Sequence, residues 1–247
     1  MKTLLLSTVA GAALLLPLAC ADAADISTSH PLVWNSATMS WTGPYIGATG
    51  SIGGSRGRTT DDGNGVPHGP FSSHGTSASV GLRAGYDYEL RNHVVVGAQV
   101  EGGWMRPGTR GTIGSSHAGH HQNLTVSSGG FATATGRLGY SFGRLLVYGD
   151  GGGALFTGQA EQATTNPGYA ATASSGAHFG WTVGAGLEYR LTQHASVTLG
   201  WQHFDFGRAR GYQTALVADG PTPKGQRFGN STRLASDEVM VGFNYRF

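Results

Sequence analysis

Histidines recur in two Gly/Ser-rich stretches, and imidazole nitrogens bind haem iron, zinc and copper. His68 and His74 lie in the first stretch, and HAGHH places His117, His120 and His121 in the second. The spacing matches no closed metal motif, and neither cysteine nor carboxylate accompanies the cluster. His117, His120 and His121 are therefore weak candidate ligands for haem or a metal, and solvated loop histidines are the alternative. No firm cofactor site follows.

A second set of reactive side chains consists of arginines and carboxylates at alternating positions of apolar segments. Paired carboxylates suggest acid/base chemistry, whereas charges enclosed in a narrow interior must pair with each other. The set comprises Arg83, Asp87, Glu101, Arg137, Glu188, Glu238 and Arg246, with Asp150 as a further member. The choice between catalysis and ion pairing depends on the elements that position these residues.

His203 and Asp205 could serve a hydrolase, which would also need a nucleophilic serine within reach of the imidazole. No motif selects one among the serines, so we expect no catalytic site, and a lipid-modifying enzyme is a minor alternative.

The segment 208–236 carries five cationic residues and a single carboxylate, Asp219. Arginine is well suited to bind the phosphate groups of lipids. These cations are Arg208, Arg210, Lys224, Arg227 and Arg233. A solvated loop is the alternative for them.

The first residues have the features of a secretory signal peptide. Lys2 precedes an apolar stretch over 4–19, and Ala21-Asp22-Ala23 forms an A-x-A cleavage signal. We therefore predict a signal peptide over 1–23, cleavage between Ala23 and Ala24, and a periplasmic lead-in over 24–40. The single cysteine, Cys20, raises lipidation as an alternative. Cleavage after Ala23 would leave no cysteine for disulfides.

The composition favours an all-β chain with two environments. The 247 residues include 42 glycines, and only 12% are charged. The net charge of +2 is weak evidence about partners, and we expect no nucleic-acid partner. Apolar and polar residues alternate with period two, which is typical of strands whose faces differ. The eight predicted strands cover 45–55, 79–88, 94–104, 131–140, 145–156, 178–189, 195–202 and 239–247.

The connections between these strands alternate in length. Short turns cover 89–92, 141–144 and 190–194, whereas long loops cover 56–76, 105–130, 157–177 and 208–236. Transmembrane barrels have short periplasmic turns, long extracellular loops and an even strand number. We therefore predict an eight-stranded antiparallel up-and-down transmembrane β-barrel over 41–247. The interior of so small a barrel is filled by side chains, so we interpret the charged set as a structural ion-pair network in the lumen.

Aromatic girdles at both membrane interfaces are a further expectation. On the turn side we expect Tyr45, Tyr86, Tyr88, Tyr140, Tyr189, Tyr245 and Phe247. On the loop side we expect Trp104, Phe179, Trp181, Trp201 and Phe206.

Three segments give the chain a family resemblance. WTGPYIGATGSIGG (41–54), FGWTVGAGLEYRLTQHASVTLGWQHFDFG (179–207) and VMVGFNYRF (239–247) resemble the RopB-like family of small Gram-negative outer-membrane β-barrel proteins, also called outer membrane immunogenic or porin-like proteins. The resemblance implies an eight-stranded barrel exposed at the cell surface, and some members are reported haem binders. Trp201 and His203 depart from the Glu or Tyr expected in the seventh strand.

The last strand also resembles the C-terminal signal that the barrel-assembly machinery recognises. Gly242, Tyr245 and Phe247 match this signal, whereas Met240 stands where a polar residue is usual. Together these features predict an integral outer-membrane surface protein with a structural or interaction role and no wide pore. Outer-membrane lipid, lipopolysaccharide and the assembly machinery are its expected partners. The alternatives are capture of haem or metal, contact with host or surface ligands, and small-solute diffusion.

Overall fold

The computed structural model describes residues 40–61, 71–114, 121–164, 169–170, 172–215, 224–225 and 227–247. The fold lies within the unit Thr38–Phe247. No described residue belongs to a helix with the length and hydropathy needed to traverse a bilayer.

Eight strands form an antiparallel barrel wall. They are β1 (Gly43–Asp61), β2 (Phe71–Glu89), β3 (Val94–Arg106), β6 (Gly129–Phe142), β7 (Leu145–Phe156), β11 (His178–Arg190), β12 (Ala195–Ala215) and β13 (Arg227–Arg246). Each pairs with its neighbour in this order, and β1 pairs with both β2 and β13. The β1–β13 register runs from Tyr45 opposite Arg246 to Asp61 opposite Asn230. The predicted closed eight-stranded barrel is confirmed.

Five shorter strands extend the wall at the long-loop end. They are β4 (Thr109–Gly114), β5 (His121–Val126), β8 (Gln159–Thr164), β9 (Tyr169–Ala170) and β10 (Thr172–Ser175). β4 pairs with β2, and the ladder continues through β5 and β8 to β10, while β9 pairs with β12. Much of the sequence assigned to long loops is therefore β-structure, and His74 lies inside β2 rather than in a loop.

Several barrel strands are longer than the sequence predicts. β1 and β2 have 19 residues each, β12 has 21 and β13 has 20. A tilted strand needs only about 9–11 residues to cross the hydrocarbon, so these hairpins project well beyond it. Beyond the apolar band the outward face no longer meets lipid and carries polar residues such as Arg56 and Arg58, while the inward face keeps buried polar residues such as Ser73. With polar residues on both faces, the apolar and polar alternation that marks a membrane-spanning segment is lost. The sequence pattern therefore ends before the strand does.

The outer wall carries the apolar band expected of a lipid-facing surface. Its exposed residues include Leu82, Val100, Leu138, Leu199 and Val241. Most predicted girdle aromatics are also exposed on this wall, namely Tyr86, Tyr88, Trp104, Tyr140, Phe179, Trp181, Tyr189, Trp201, Tyr245 and Phe247.

Two girdle predictions are wrong. Tyr45 is 1% exposed and Phe206 is 2% exposed, because both side chains point into the barrel. In β1 the small residues on both faces conceal which face is inward. In β12, alternation read from the outward Trp201 places Phe206 on the same face as the buried Phe204. The girdle prediction for Phe206 followed its residue type and its position near the strand end, and it disregarded this alternation.

We expect the folded barrel to migrate differently on electrophoresis before and after boiling in SDS. A closed ladder offers no free edge at which opening can begin. Val241→Pro should abolish the shift, since proline in a central strand removes a ladder hydrogen bond. Identical mobility of boiled and unboiled wild-type protein would contradict the closed barrel.

Candidate functional site

Two arginines and two carboxylates form an ion-pair layer across the lumen. Arg137 Nη1 lies 3.2 Å from Asp87 Oδ2, and Arg137 Nη2 lies 2.5 Å from Glu188 Oε2. Arg246 Nη2 lies 2.7 Å from the same Asp87 oxygen and 4.0 Å from Glu188 Oε1. All four side chains are at most 5% exposed. Burial makes such charges costly unless they pair, and here each has an opposite charge on two sides.

Neutral side chains complete the hydrogen bonds of this layer. Ser196 Oγ and Asn244 Nδ2 donate to Glu188 Oε1 at 2.6 and 3.0 Å. The Arg137 guanidinium lies 3.7 Å from the centre of the Tyr148 ring, a cation–π geometry. Tyr148 comes from the strand in which apolar residues occupy both faces, which explains that irregular pattern. The layer is thus fixed from several strands at once.

Trp41 forms a floor at the short-turn end of the barrel. It is fully buried, its indole N–H donates to Gly143 O at 3.0 Å, and its backbone N–H donates to Glu89 Oε2 at 2.8 Å. Arg246 Nη1 donates to the Trp41 carbonyl at 2.6 Å, and the Arg190 guanidinium lies 4.5 Å from the ring centre. Trp41, two residues before the first strand, therefore covers the mouth of the lumen.

The middle of the lumen holds three carboxylates bonded to neutral groups. Thr49 donates to Glu101 at 2.6 Å, and Gln202 donates to Asp150 at 3.2 Å. Glu238 accepts from three serine hydroxyls, Ser51, Ser79 and Ser236. The cavity between these side chains measures about 20 Å³, which is room for one or two water molecules. This cavity is too small for a solute larger than water.

Arg83 is inside the barrel but outside the ion-pair layer. It is 3% exposed, and its Nη2 lies 3.9 Å from Met240 Sδ. Among the described side chains, no carboxylate lies within salt-bridge distance of it. A Cβ at Gly242 would lie 2.2 Å from Arg83 Nη2, so the glycine provides the space for this guanidinium.

An apolar cluster forms a roof at the long-loop end of the lumen. Its members are Met105, Phe131, Ala154, Phe156, Phe204, Phe206 and Leu234. The ring centroids of Phe156 and Phe206 are 5.2 Å apart, and those of Phe131 and Phe204 are 6.2 Å apart. Floor, ion-pair layer and roof together close the lumen at three levels.

A separate cluster lies on the outer wall near the loop-side girdle. His203 Nδ1 lies 2.8 Å from Asp237 Oδ1 and not against Asp205, with which the sequence groups it. Its ring lies 5.1 Å from that of Trp181. Asp205 pairs instead with Arg233, whose Nε donates to Asp205 Oδ2 at 3.0 Å. No described serine is hydrogen-bonded to the His203 imidazole.

Other predicted sites lie outside the described residues or remain predictions. His68, His117 and His120 lie outside the described residues, and the side chain of His121 is not described. The signal peptide and the Ala23-Ala24 cleavage site also lie outside them. Among the described side chains, no three His, Cys, Asp or Glu residues are placed to hold a metal. Tyr245 and Phe247 are exposed at the short-turn end, and their role in the insertion signal stays a prediction.

The sequence prediction of the site misses Trp41, Tyr148 and the apolar roof. An apolar residue on the inward face contradicts the polar-in pattern, so alternation alone assigns it to the lipid side. The usable signal was the pair of apolar faces in 145–156, because a strand with no polar face must bury one of its apolar sides inside the barrel.

Comparisons with known proteins add to this geometry. The family model described as outer membrane protein beta-barrel domain matches residues 11–247. The 31 kDa outer-membrane immunogenic proteins of Brucella melitensis biotype 1 and Brucella suis biovar 1 are each 30% identical over 270 aligned residues, covering 100% of both chains. The crystal structure of the outer membrane protein OprG from Pseudomonas aeruginosa has a TM-score of 0.57 at 15% identity, covering 83% of this chain and 96% of that chain. This structural likeness concerns the fold alone.

Replacing Arg137 should strongly destabilise the barrel. Arg137→Ala leaves Asp87 and Glu188 sharing only Arg246, and breaking a buried ion pair costs about 3–5 kcal/mol. Arg91→Ala removes an exposed arginine in a short turn and should change the free energy of unfolding by less than about 0.5 kcal/mol. Equilibrium urea unfolding of both variants in lipid vesicles measures the difference, and equal stability would contradict the role of the ion-pair layer.

Proposed function

Because the chain belongs to the family of outer-membrane β-barrel proteins, we propose that it is a closed barrel that displays a β-structured surface outside the cell. The observation that carries this proposal is the combination of a lumen filled at three levels with strands that continue past the membrane band. A filled lumen supports no role in diffusion, and the projecting hairpins supply surface for contacts. The proposed role is therefore structural or interactional, without catalysis.

The relatives support the surface component of this proposal. Two full-length relatives are named outer-membrane immunogenic proteins, and a protein of that name presents residues that antibodies recognise. In this chain the hairpins β1–β2 and β12–β13 are the longest projections described. We assign the contact surface to these hairpins and to the strands that continue the wall beside them.

The proposed partners follow from the position of the barrel in the outer membrane. The apolar outer wall contacts outer-membrane lipid. The barrel-assembly machinery would read the last strand through Gly242, Tyr245 and Phe247. The haem or metal hypothesis depends on His117, His120 and His121, so it stays a prediction beside this proposal.

Purified protein in planar bilayers should show no stable ion conductance. A double variant Trp41→Ala/Phe204→Ala removes part of the floor and of the roof, and should increase ion leak. The matched control Trp104→Ala/Trp181→Ala truncates two exposed aromatics on the outer wall and should behave as the wild type does. Steady conductance of the wild-type protein would overturn the closed-lumen proposal.

The orientation is tested by epitope insertion in living cells. A short epitope between Lys224 and Gly225, in the turn connecting β12 and β13, should bind antibody on intact cells. The same epitope between Arg91 and Asn92, in a short turn, should bind only after permeabilisation of the outer membrane. The reverse pattern would show that the long hairpins do not face the exterior.

A further inference from the structure

A row of arginines crosses three adjacent strands on the outer wall, beyond the apolar band. Arg233 of β13 pairs in register with Arg208 of β12 on one side and with Arg58 of β1 on the other. All three are exposed. Directly opposite residues in neighbouring strands have Cβ atoms about 4.5–5.5 Å apart, and like charges at that spacing repel each other. The row therefore favours an anion between its members.

Two further residues extend this surface toward the membrane. Arg56 of β1 lies two residues closer to the band than Arg58, and it pairs with His74 of β2. Both side chains are exposed. We call Arg56, Arg58, Arg208 and Arg233 the arginine patch.

The carboxylates near the patch do not neutralise it. Asp205 already forms an ion pair with Arg233, and Asp237 already contacts the His203 imidazole. Among the described side chains, Arg56, Arg58 and Arg208 have no carboxylate within salt-bridge distance. Among the side chains that the structure describes here, four arginines thus face two carboxylates, of which only Asp205 contacts an arginine. The patch retains positive charge available to an external anion.

The height of the patch matches a particular layer of the membrane. Ile52 and Val239 lie opposite each other at the upper edge of the band, and they are 63% and 54% exposed. Arg56 follows Ile52 by four residues, which is about 13 Å along the strand, and about 10 Å along the membrane normal at the usual tilt. This is the level of lipid headgroups, and Trp181 and Trp201 lie beside it as interfacial anchors.

The positive charge at the loop-side end is also unevenly distributed, and outside the patch Arg106 of β3 is exposed at this end. The loop-side halves of β6, β7 and β11, which are GGFATAT, DGGGALF and HFGWTV, contain neither lysine nor arginine. A general attraction to anionic membrane would need no such asymmetry. A concentrated patch on β12, β13 and β1 fits one bound headgroup.

We propose that the arginine patch binds the phosphate groups of a phosphorylated glycolipid in the outer leaflet. Arginine forms bidentate hydrogen bonds to phosphate oxygens, and acyl chains of the same lipid would lie along Ile52, Val239 and Trp201. The proposal depends on the outward orientation given above but not on the closed lumen, so a conductance result leaves it unaffected.

The test uses the full-length mature protein in detergent and bisphosphorylated lipid A as the probe. Native mass spectrometry measures the affinity for lipid A and for lipid A with both phosphates removed. We expect the double variant Arg58→Gln/Arg208→Gln to lose roughly tenfold or more in affinity for lipid A, since hydrogen bonds to charged groups are strong and tenfold corresponds to about 1.4 kcal/mol. The matched control Arg91→Gln/Arg144→Gln removes the same charge at the short-turn end and should retain wild-type affinity.

Each outcome decides the assignment. Preference of the wild type for the phosphorylated form, lost in the patch variant, supports the proposal. Equal binding of both lipid forms would assign the interaction to acyl chains and overturn it. Unchanged affinity of the patch variant, with the heat-dependent mobility shift intact, would also overturn it. Displacement of lipid A by a tenfold lower concentration of soluble heparin would identify a soluble polyanion as the occupant instead.

Discussion

The hydrogen bonds between β1 and β13 impose the constraint on which the rest of the molecule depends. Hydrocarbon offers no partner to a backbone N–H or C=O group, so a sheet crosses a membrane only if its two edges pair. Closing the ladder with eight strands produces a cylinder whose interior holds side chains but no channel. The width of the lumen, and therefore its chemistry, follows from the number of strands that had to be joined.

The filled interior explains why charged residues are abundant inside a membrane protein. The inward face of each strand alternates with the lipid face, and polar residues there mark the face that avoids lipid. Once enclosed, they must satisfy each other, and Arg137, Asp87, Glu188 and Arg246 do so across four different strands. Close approach requires small neighbours as well. A Cβ at Gly97 would lie 2.1 Å from Asp87 Oδ1. Part of the high glycine content therefore provides the space that the ion-pair layer needs.

The degree to which sequence predicted structure varied with the environment of each strand. Where one face met lipid and the other met the lumen, as in 178–189, alternation identified the strand and the inward Glu188. Where side chains were small on both faces, as around Tyr45, the sequence did not show which face of the strand points into the barrel. Alternation from Trp201 itself places Phe206 inward, so that girdle prediction failed because residue type was given more weight than the pattern. The register shift between Asp205 and Arg208 instead turns Arg208 outward, and period-two patterns contain no signal for such a shift. Beyond the apolar band the outward face became polar while the buried inward face stayed polar, so the alternation of apolar and polar residues ended there.

The contacts of Trp41 have a consequence for the order in which the molecule assembles. Its partners Glu89, Gly143 and Arg246 belong to β2, the turn before β7, and β13, so no partial barrel contains them all. The complete floor requires the last strand, because Arg246 of β13 binds the Trp41 carbonyl, and we expect a φ-value near zero for this contact. The environment of the indole is complete only when Arg246 of the last strand lies beside it, so we expect Trp41 fluorescence to report completed closure rather than initial insertion.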